Sequence, residues 1–133
     1  GRLRFFGEVL SKLELVADGR LAVLEATPEQ FQRHGLVGAD TDGLVDMPRT
    51  IAGLEAVVLF SEADAGKVKV SMRSTGRVSV DGVASRLGGG GHVHAAGVLL
   101  RCSMAQARER ILPALVRLAN QAAAGDVAGR RTA

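Results

Sequence analysis

Between Arg86 and Gly97 the chain reads RLGGGGHVHAAG: four consecutive glycines, then His92, a spacer, His94 and small residues. Four glycines in a row lose more backbone entropy on folding than any other tetrapeptide. Anion binding is one use that would justify the loss, because bare backbone lets several N–H groups converge on an oxyanion. The phosphate loops of defined spacing do not match. No Lys-Ser/Thr follows the glycines, and no G-x-G-x-x-G opens a helix after a strand. The order here is helix, glycines, strand, so the loop lies at a helix C-terminus, whose dipole disfavours anions. Binding there must rely on loop amides and on side chains such as His92. The structural alternative is a helix C-cap followed by a tight passage against a neighbouring strand. One or two glycines suffice for that; four exceed it.

His92 and His94, at i and i+2, would share one face of a strand and invite a metal reading, but a third ligand is lacking. His34 is the only other histidine and Cys102 the only cysteine. Asp40-Thr41-Asp42-Gly43 lacks the full calcium-loop spacing. No metal site is expected in this chain. Arg73-Ser74 closes a basic strand face, and a guanidinium fork beside a hydroxyl suits phosphate; a solvated strand end is the plain alternative. Lys67 and Lys69 read as solvated, and Arg49, in DMPRT, as exposed with no role assigned. No serine–histidine–carboxylate set, carboxylate pair or activated cysteine is present. No catalytic residue is assigned. The chain reads as a binder.

The elements that must position these residues follow from periodicity. Leu3, Phe6, Leu10, Leu13 and Val16 predict a helix over Arg2–Ala17, ended by Asp18-Gly19. Leu21–Ala26 reads as a strand, and Thr27-Pro28-Glu29-Gln30 as a capped helix start. His34–Gly53 reads as loop with one short helix, and Leu54–Glu62 as a buried strand. In KVKVSMR, Val68, Val70 and Met72 alternate with Lys67, Lys69, Ser71 and Arg73, a strand with one apolar and one basic face. Val80, Val83, Ala84 and Leu87 predict a short helix running into the glycines, and Ala96–Cys102 a strand. Ser103 with Gln106 caps a final helix, within which Pro113 predicts a kink or break. A flexible tail is expected over residues 126–133. The fold class expected is α/β (α+β), one domain over residues 1–125, with a mixed sheet of about four to five strands packed by helices.

Composition agrees with one globular domain: 133 residues, 47% apolar, 23% charged. Four Phe with no Trp or Tyr disfavour an aromatic platform for stacking bases. The net charge of +3 permits an anionic ligand without demanding one. A single cysteine excludes an internal disulfide framework and suits a reducing, cytoplasmic setting. No apolar run approaches membrane-spanning length, and no membrane partner is expected.

GGGGHVHAAG resembles the GGGGHxxAAG signature of the C-terminal, DHH-associated domain of DHH-family phosphoesterases. VKVSMRSTGRVSVDGVASRLGGGGH is similar to that family's strand, Arg-Ser turn, short helix and glycine loop. DTDGLVDMPRTIAGLEAVVLFSE is similar to the preceding segment in the branch of nano-RNases and 3′-phosphoadenosine 5′-phosphate phosphatases. The resemblance implies the C-terminal part of a two-domain hydrolase. In that family the metals, usually Mn2+, sit in an N-terminal DHH domain, which this chain lacks, and no cofactor is implied for the chain itself. It also implies that substrate phosphate is gripped by Gly89, Gly90, Gly91 and His92 with Arg73 and Ser74, while Gly88, His94 and Arg49 stand nearby. The implied partners are that DHH domain and short RNA or a nucleotide bisphosphate; oligomeric state is left open. A second family allows another reading. The glycine-rich C-terminal domain of alanyl-tRNA synthetases is similar, which would make the chain a non-catalytic RNA-binding or association module.

Overall fold

In the computed structural model the backbone is described over residues 1–132 and side chains over residues 1–125. The expected tail of residues 126–133 lies outside the fully described residues. The elements run α1 (Arg2–Ser11), β1 (Glu14–Val16), β2 (Leu21–Ala26), α2 (Pro28–His34), β3 (Ala56–Asp64), β4 (Lys67–Ser74), α3 (Asp81–Arg86), β5 (Gly90–His92), β6 (Ala95–Leu100) and α4 (Met104–Thr132). Two 3-10 segments, Gly38–Thr41 and Leu44–Thr50, join α2 to β3. Both expected capping boxes form. Thr27 Oγ1 accepts from the Gln30 N–H at 3.3 Å while Gln30 Oε1 accepts from the Thr27 N–H at 2.9 Å. Ser103 and Gln106 repeat the exchange at 3.1 and 3.0 Å at the start of α4.

The sheet has the order β1-β2-β3-β4-β6-β5. Only β2 and β3 run parallel; the other neighbours are antiparallel. The α+β class with a mixed sheet is as expected, with six strands rather than four to five. Both additions are three-residue edge strands. One of them corrects the first helix, which stops at Ser11 rather than Ala17. Leu13 and Val16 keep helical spacing, but Glu14–Val16 pairs with Leu21–Val23 instead. Ala17, Asp18 and Gly19 turn the hairpin between them, all at positive φ. The second correction concerns Pro113, which does not break α4. Pro113 and Glu109, whose carbonyl it deprives of a donor, are both exposed; water can take the vacated bond.

Two cores flank the sheet. On one face Val58, Phe60, Val70, Met72, Val98 and Leu100 pack with Val83 of α3 and Ile111 and Leu115 of α4. On the other, Ala22, Leu24, Val57 and Leu59 pack under Phe5 and Val9 of α1, Phe31 of α2 and Leu44 and Val45 of the second 3-10 segment. Each large side chain buried this way contributes about 1.5–3 kcal/mol. Strands β2 and β3 are therefore covered on both faces, which is why their runs LAVLEA and AVVLF do not alternate. The second core stops at β3. Among the described residues no α-helix covers that face over β4, β6 and β5; the second 3-10 segment meets β4 at Arg73.

Candidate functional site

The bare half-face is set by strand register, since residues paired across a sheet share a side. Arg73 pairs with Ala95, and Ala95 with His92. One row along, Ser71 pairs with Gly97, and Gly97 with Gly90. A third row pairs Lys69 with Leu99. The result is a floor of Gly90, Gly97 and Ala95, with Arg73 at one end of the first row and His92 at the other. Their Cα atoms stand two strand spacings apart, about 9–10 Å. Lys69, Gly89, Gly97, Val98 and Leu99 line a shallow depression of about 430 Å³ beside it.

Arg73 is held in place. Its Nε donates to Asp46 Oδ1 at 3.2 Å, and its Nη1 to the Met72 carbonyl at 2.9 Å. Asp46, in the 3-10 segment bordering the face, also meets Arg49 Nη1 at 3.5 Å. One carboxylate thus orients two guanidinium groups and leaves the trio net positive, the arrangement an incoming anion needs. The loop ending β4 is clamped in turn. Arg77 forms an ion pair with buried Glu55, and Thr75 N–H donates to the Glu55 carbonyl at 3.0 Å.

The four glycines divide. Gly88, after the end of α3, has φ +91°, and Gly91 has φ +143° with a Cβ there falling 2.5 Å from the Ala95 carbonyl oxygen. At Gly89 a Cβ would lie 2.5 Å from Val98 Cβ and overlap the Gly97 carbonyl. The fold needs glycine at all three positions. Gly90 differs: its φ is ordinary and an added Cβ would meet nothing within 4 Å.

Of the other expected residues, His92 is exposed on the same side as Arg73. Ser74 is not brought there. It is 1% exposed, points to the opposite side of β4 from Arg73, and its Oγ accepts from the Gly76 N–H at 3.1 Å. His94 does not share a strand face with His92, because β5 ends at His92 and the chain turns at Val93-His94. Its Nε2 lies 3.3 Å from the Gly76 carbonyl oxygen. The face also includes residues given no role in the sequence reading: Lys69, Ser71, Ala95, Gly97 and the orienting Asp46. The alternation in KVKVSMR carries the signal for Lys69 and Ser71; Asp46 has none, since only tertiary packing brings it to Arg73.

Among the described residues no group of three or more His, Cys, Asp or Glu is placed to hold a metal. The resemblance assigns Mn2+ to the DHH domain, and the described residues offer no ligand set of that kind. Among the same residues no helix is long and apolar enough to cross a membrane.

Known proteins resemble this chain in sequence and fold. The chain is 40% identical over 113 residues to the bifunctional oligoribonuclease and PAP phosphatase NrnA of Thermus thermophilus, covering 84% of this chain and 33% of that protein. An exopolyphosphatase-related protein from Bacteroides fragilis superposes with a TM-score of 0.82 at 28% identity, over 91% of this chain and 36% of its own. A pGpG-specific phosphodiesterase, PggH, from Vibrio cholerae shares the fold with a TM-score of 0.60 at 13% identity, over 90% of this chain and 39% of its own. The chain spans about a third of the length of these proteins. The DHHA1 domain family matches residues 19–124, which includes every strand of the bare face, and the chain belongs to that family.

Proposed function

We propose that this chain is the substrate-gripping domain of a DHH-family phosphoesterase that hydrolyses short oligoribonucleotides, 3′-phosphoadenosine 5′-phosphate, or both, and that the bare half-face holds substrate phosphate. Gly90 carries the reading. It is the one glycine of the run that the fold does not require, and it opens onto the face that Arg73 and His92 flank. A backbone kept bare there leaves room for a ligand to approach the strand closely. The 40% identity to a relative named for both activities supports the substrate class.

In this reading the backbone of Gly90–His92 and the His92 imidazole contact phosphate, and Arg73 supplies charge from across the row. Gly88, Gly89 and Gly91 hold β5 in position, and Arg49 and His94 stand at the rim. Ser74 acts from below, closing the turn that ends β4. The catalytic groups and Mn2+ belong to an N-terminal DHH domain, which closes over this face. The chain contributes binding and orientation and is inactive alone.

Titrating 3′-phosphoadenosine 5′-phosphate and a 5′-phosphorylated diribonucleotide into the chain tests this. Gly90→Ala is expected to leave the thermal midpoint unchanged or slightly higher. It should weaken both ligands about tenfold, roughly 1.4 kcal/mol, and Arg73→Ala should weaken them at least as much. Wild-type affinities in both variants would overturn the reading. Binding of long RNA without the bisphosphate would favour an RNA-binding module.

A further inference from the structure

Three arginines on the other side of the sheet have no part in that grip. Arg86 at the end of α3 and Arg110 and Arg117 on α4 line one trough between the two helices, and all three are exposed. The trough comprises two depressions of about 180 and 170 Å³ that share Val83, Arg86, Ala114 and Arg117. Arg110 and Arg117 are two helical turns apart, so both sit on the side of α4 that borders α3. No carboxylate lines either depression.

Six of the other arginines are treated differently, while Arg2, Arg4 and Arg101, scattered elsewhere, likewise meet no carboxylate among the described residues. Arg20, Arg33, Arg49, Arg73, Arg77 and Arg108 each meet an aspartate or glutamate. Among the described residues Arg86, Arg110 and Arg117 meet none. Three guanidinium forks gathered without a counter-ion repel one another, and an anion relieves that repulsion. The remaining polar lining, Ser79 and Gln121, can also donate hydrogen bonds. Val83, Leu87 and Leu118 are the only large apolar residues in the lining, and at about 180 and 170 Å³ the two depressions leave little room for the row of apolar anchors that a docked helix needs. Arg86 lies two residues before Gly88, and β5 is the edge strand. α3 packs against β5, so the Arg86 end of the trough borders the edge strand that carries the glycine run.

We propose that the α3–α4 trough is a second, sequence-independent phosphate site, which takes the far nucleotides of single-stranded RNA too long for the bare face alone. This rests on the reading of the bare face as the place where the RNA end is held. The measurement is binding of a twelve-nucleotide oligouridylate and a 5′-phosphorylated diribonucleotide over a salt series. The wild-type chain is compared with a combined Arg86→Gln, Arg110→Gln, Arg117→Gln variant.

For the twelve-mer the slope of log affinity against log salt should fall by about 2, near 0.7 for each phosphate no longer neutralised, with affinity about tenfold weaker at low salt. The dinucleotide should bind as before. The matching Arg→Lys variant keeps the charge and should keep the slope. An unchanged slope overturns the proposal, as does equal loss on both ligands, which would place the arginines in the grip or the fold. Loss of an oligoglutamate probe with the RNA slope intact would assign the trough to an acidic protein segment instead, and also overturns it. Failure of the bare-face reading shows separately, as dinucleotide binding indifferent to Gly90→Ala and Arg73→Ala.

Discussion

One face of this sheet is used in two ways. Over β2 and β3 it carries Ala22, Leu24, Val57 and Leu59, sealed under α1, α2 and the second 3-10 segment. Over β4, β6 and β5 it carries Lys69, Ser71, Arg73, Ala95, Gly97 and Gly90, and among the described residues no α-helix packs above them. The strands are continuous neighbours in a single hydrogen-bonded ladder, so backbone architecture does not distinguish the halves. Side-chain size and charge do. The covered half holds the domain together; the other half, small and cationic apart from exposed Leu99, gains less from burial, which fits the phosphate grip proposed for it.

Substitutions should separate the two roles. The largest effect is expected from Phe5→Ala in the covered half. Phe5 is fully buried, with its ring 4.8 Å from Phe31 and 5.9 Å from His34. Its loss should cost about 3–5 kcal/mol of stability in a urea titration, with ligand affinity unchanged wherever the variant is folded. A loss of affinity in the folded variant would mean the halves are coupled. A smaller effect, about 1–3 kcal/mol, is expected from Gly89→Ala, where the added methyl must push β5 away from β6. Because β5 carries Gly90 and His92, that variant should lose stability and ligand affinity together, unlike Gly90→Ala, which should lose affinity only. Equal stability of the two alanine variants would remove the distinction drawn within the glycine run.

Much of this contrast is legible in the sequence. The alternation of KVKVSMR places Arg73 on a polar strand face, and the run AVVLF marks β3 as buried on both sides. The glycine run and His92 announce an unusual loop. What sequence does not carry is whatever depends on partners distant along the chain. Glu14–Val16 has a pattern compatible with helix and becomes a strand because β2 offers it a ladder. His94 keeps strand spacing from His92 but falls in the turn, since β5 ends where its pairing with β6 does. Ser74 sits next to Arg73 and takes the opposite side, a consequence of the two-residue strand period. Asp46 reaches Arg73 across 27 positions, which no local motif records.

The smallest effect expected sharpens the comparison from the covered side, where charge also fastens helix to helix. His34 Nε2 on α2 donates to Glu8 Oε2 on α1 at 2.6 Å, while Arg33 Nη1 and Lys12 Nζ stand 2.9 and 3.9 Å from Glu8 Oε1. The His34 hydrogen bond holds the Glu8 carboxyl below its ordinary 4.5; partial burial opposes the shift, and the charges of Arg33, His34 and Lys12 add to it. A carboxyl whose pKa is depressed by folding lends stability that is fully present above its unfolded value and lost as pH falls through its folded one. Glu8→Gln should therefore be slightly less stable than the wild type near neutral pH, and the gap should close in acid, below the ordinary carboxyl range. Denaturation midpoints of the two proteins from about pH 6 to about pH 3 read this directly. A gap that stays constant across the range would mean that shape, not charge, joins α1 to α2. Affinity for 3′-phosphoadenosine 5′-phosphate should not move with Glu8→Gln at neutral pH, because the clasp stands on the covered half of the face, away from the proposed grip.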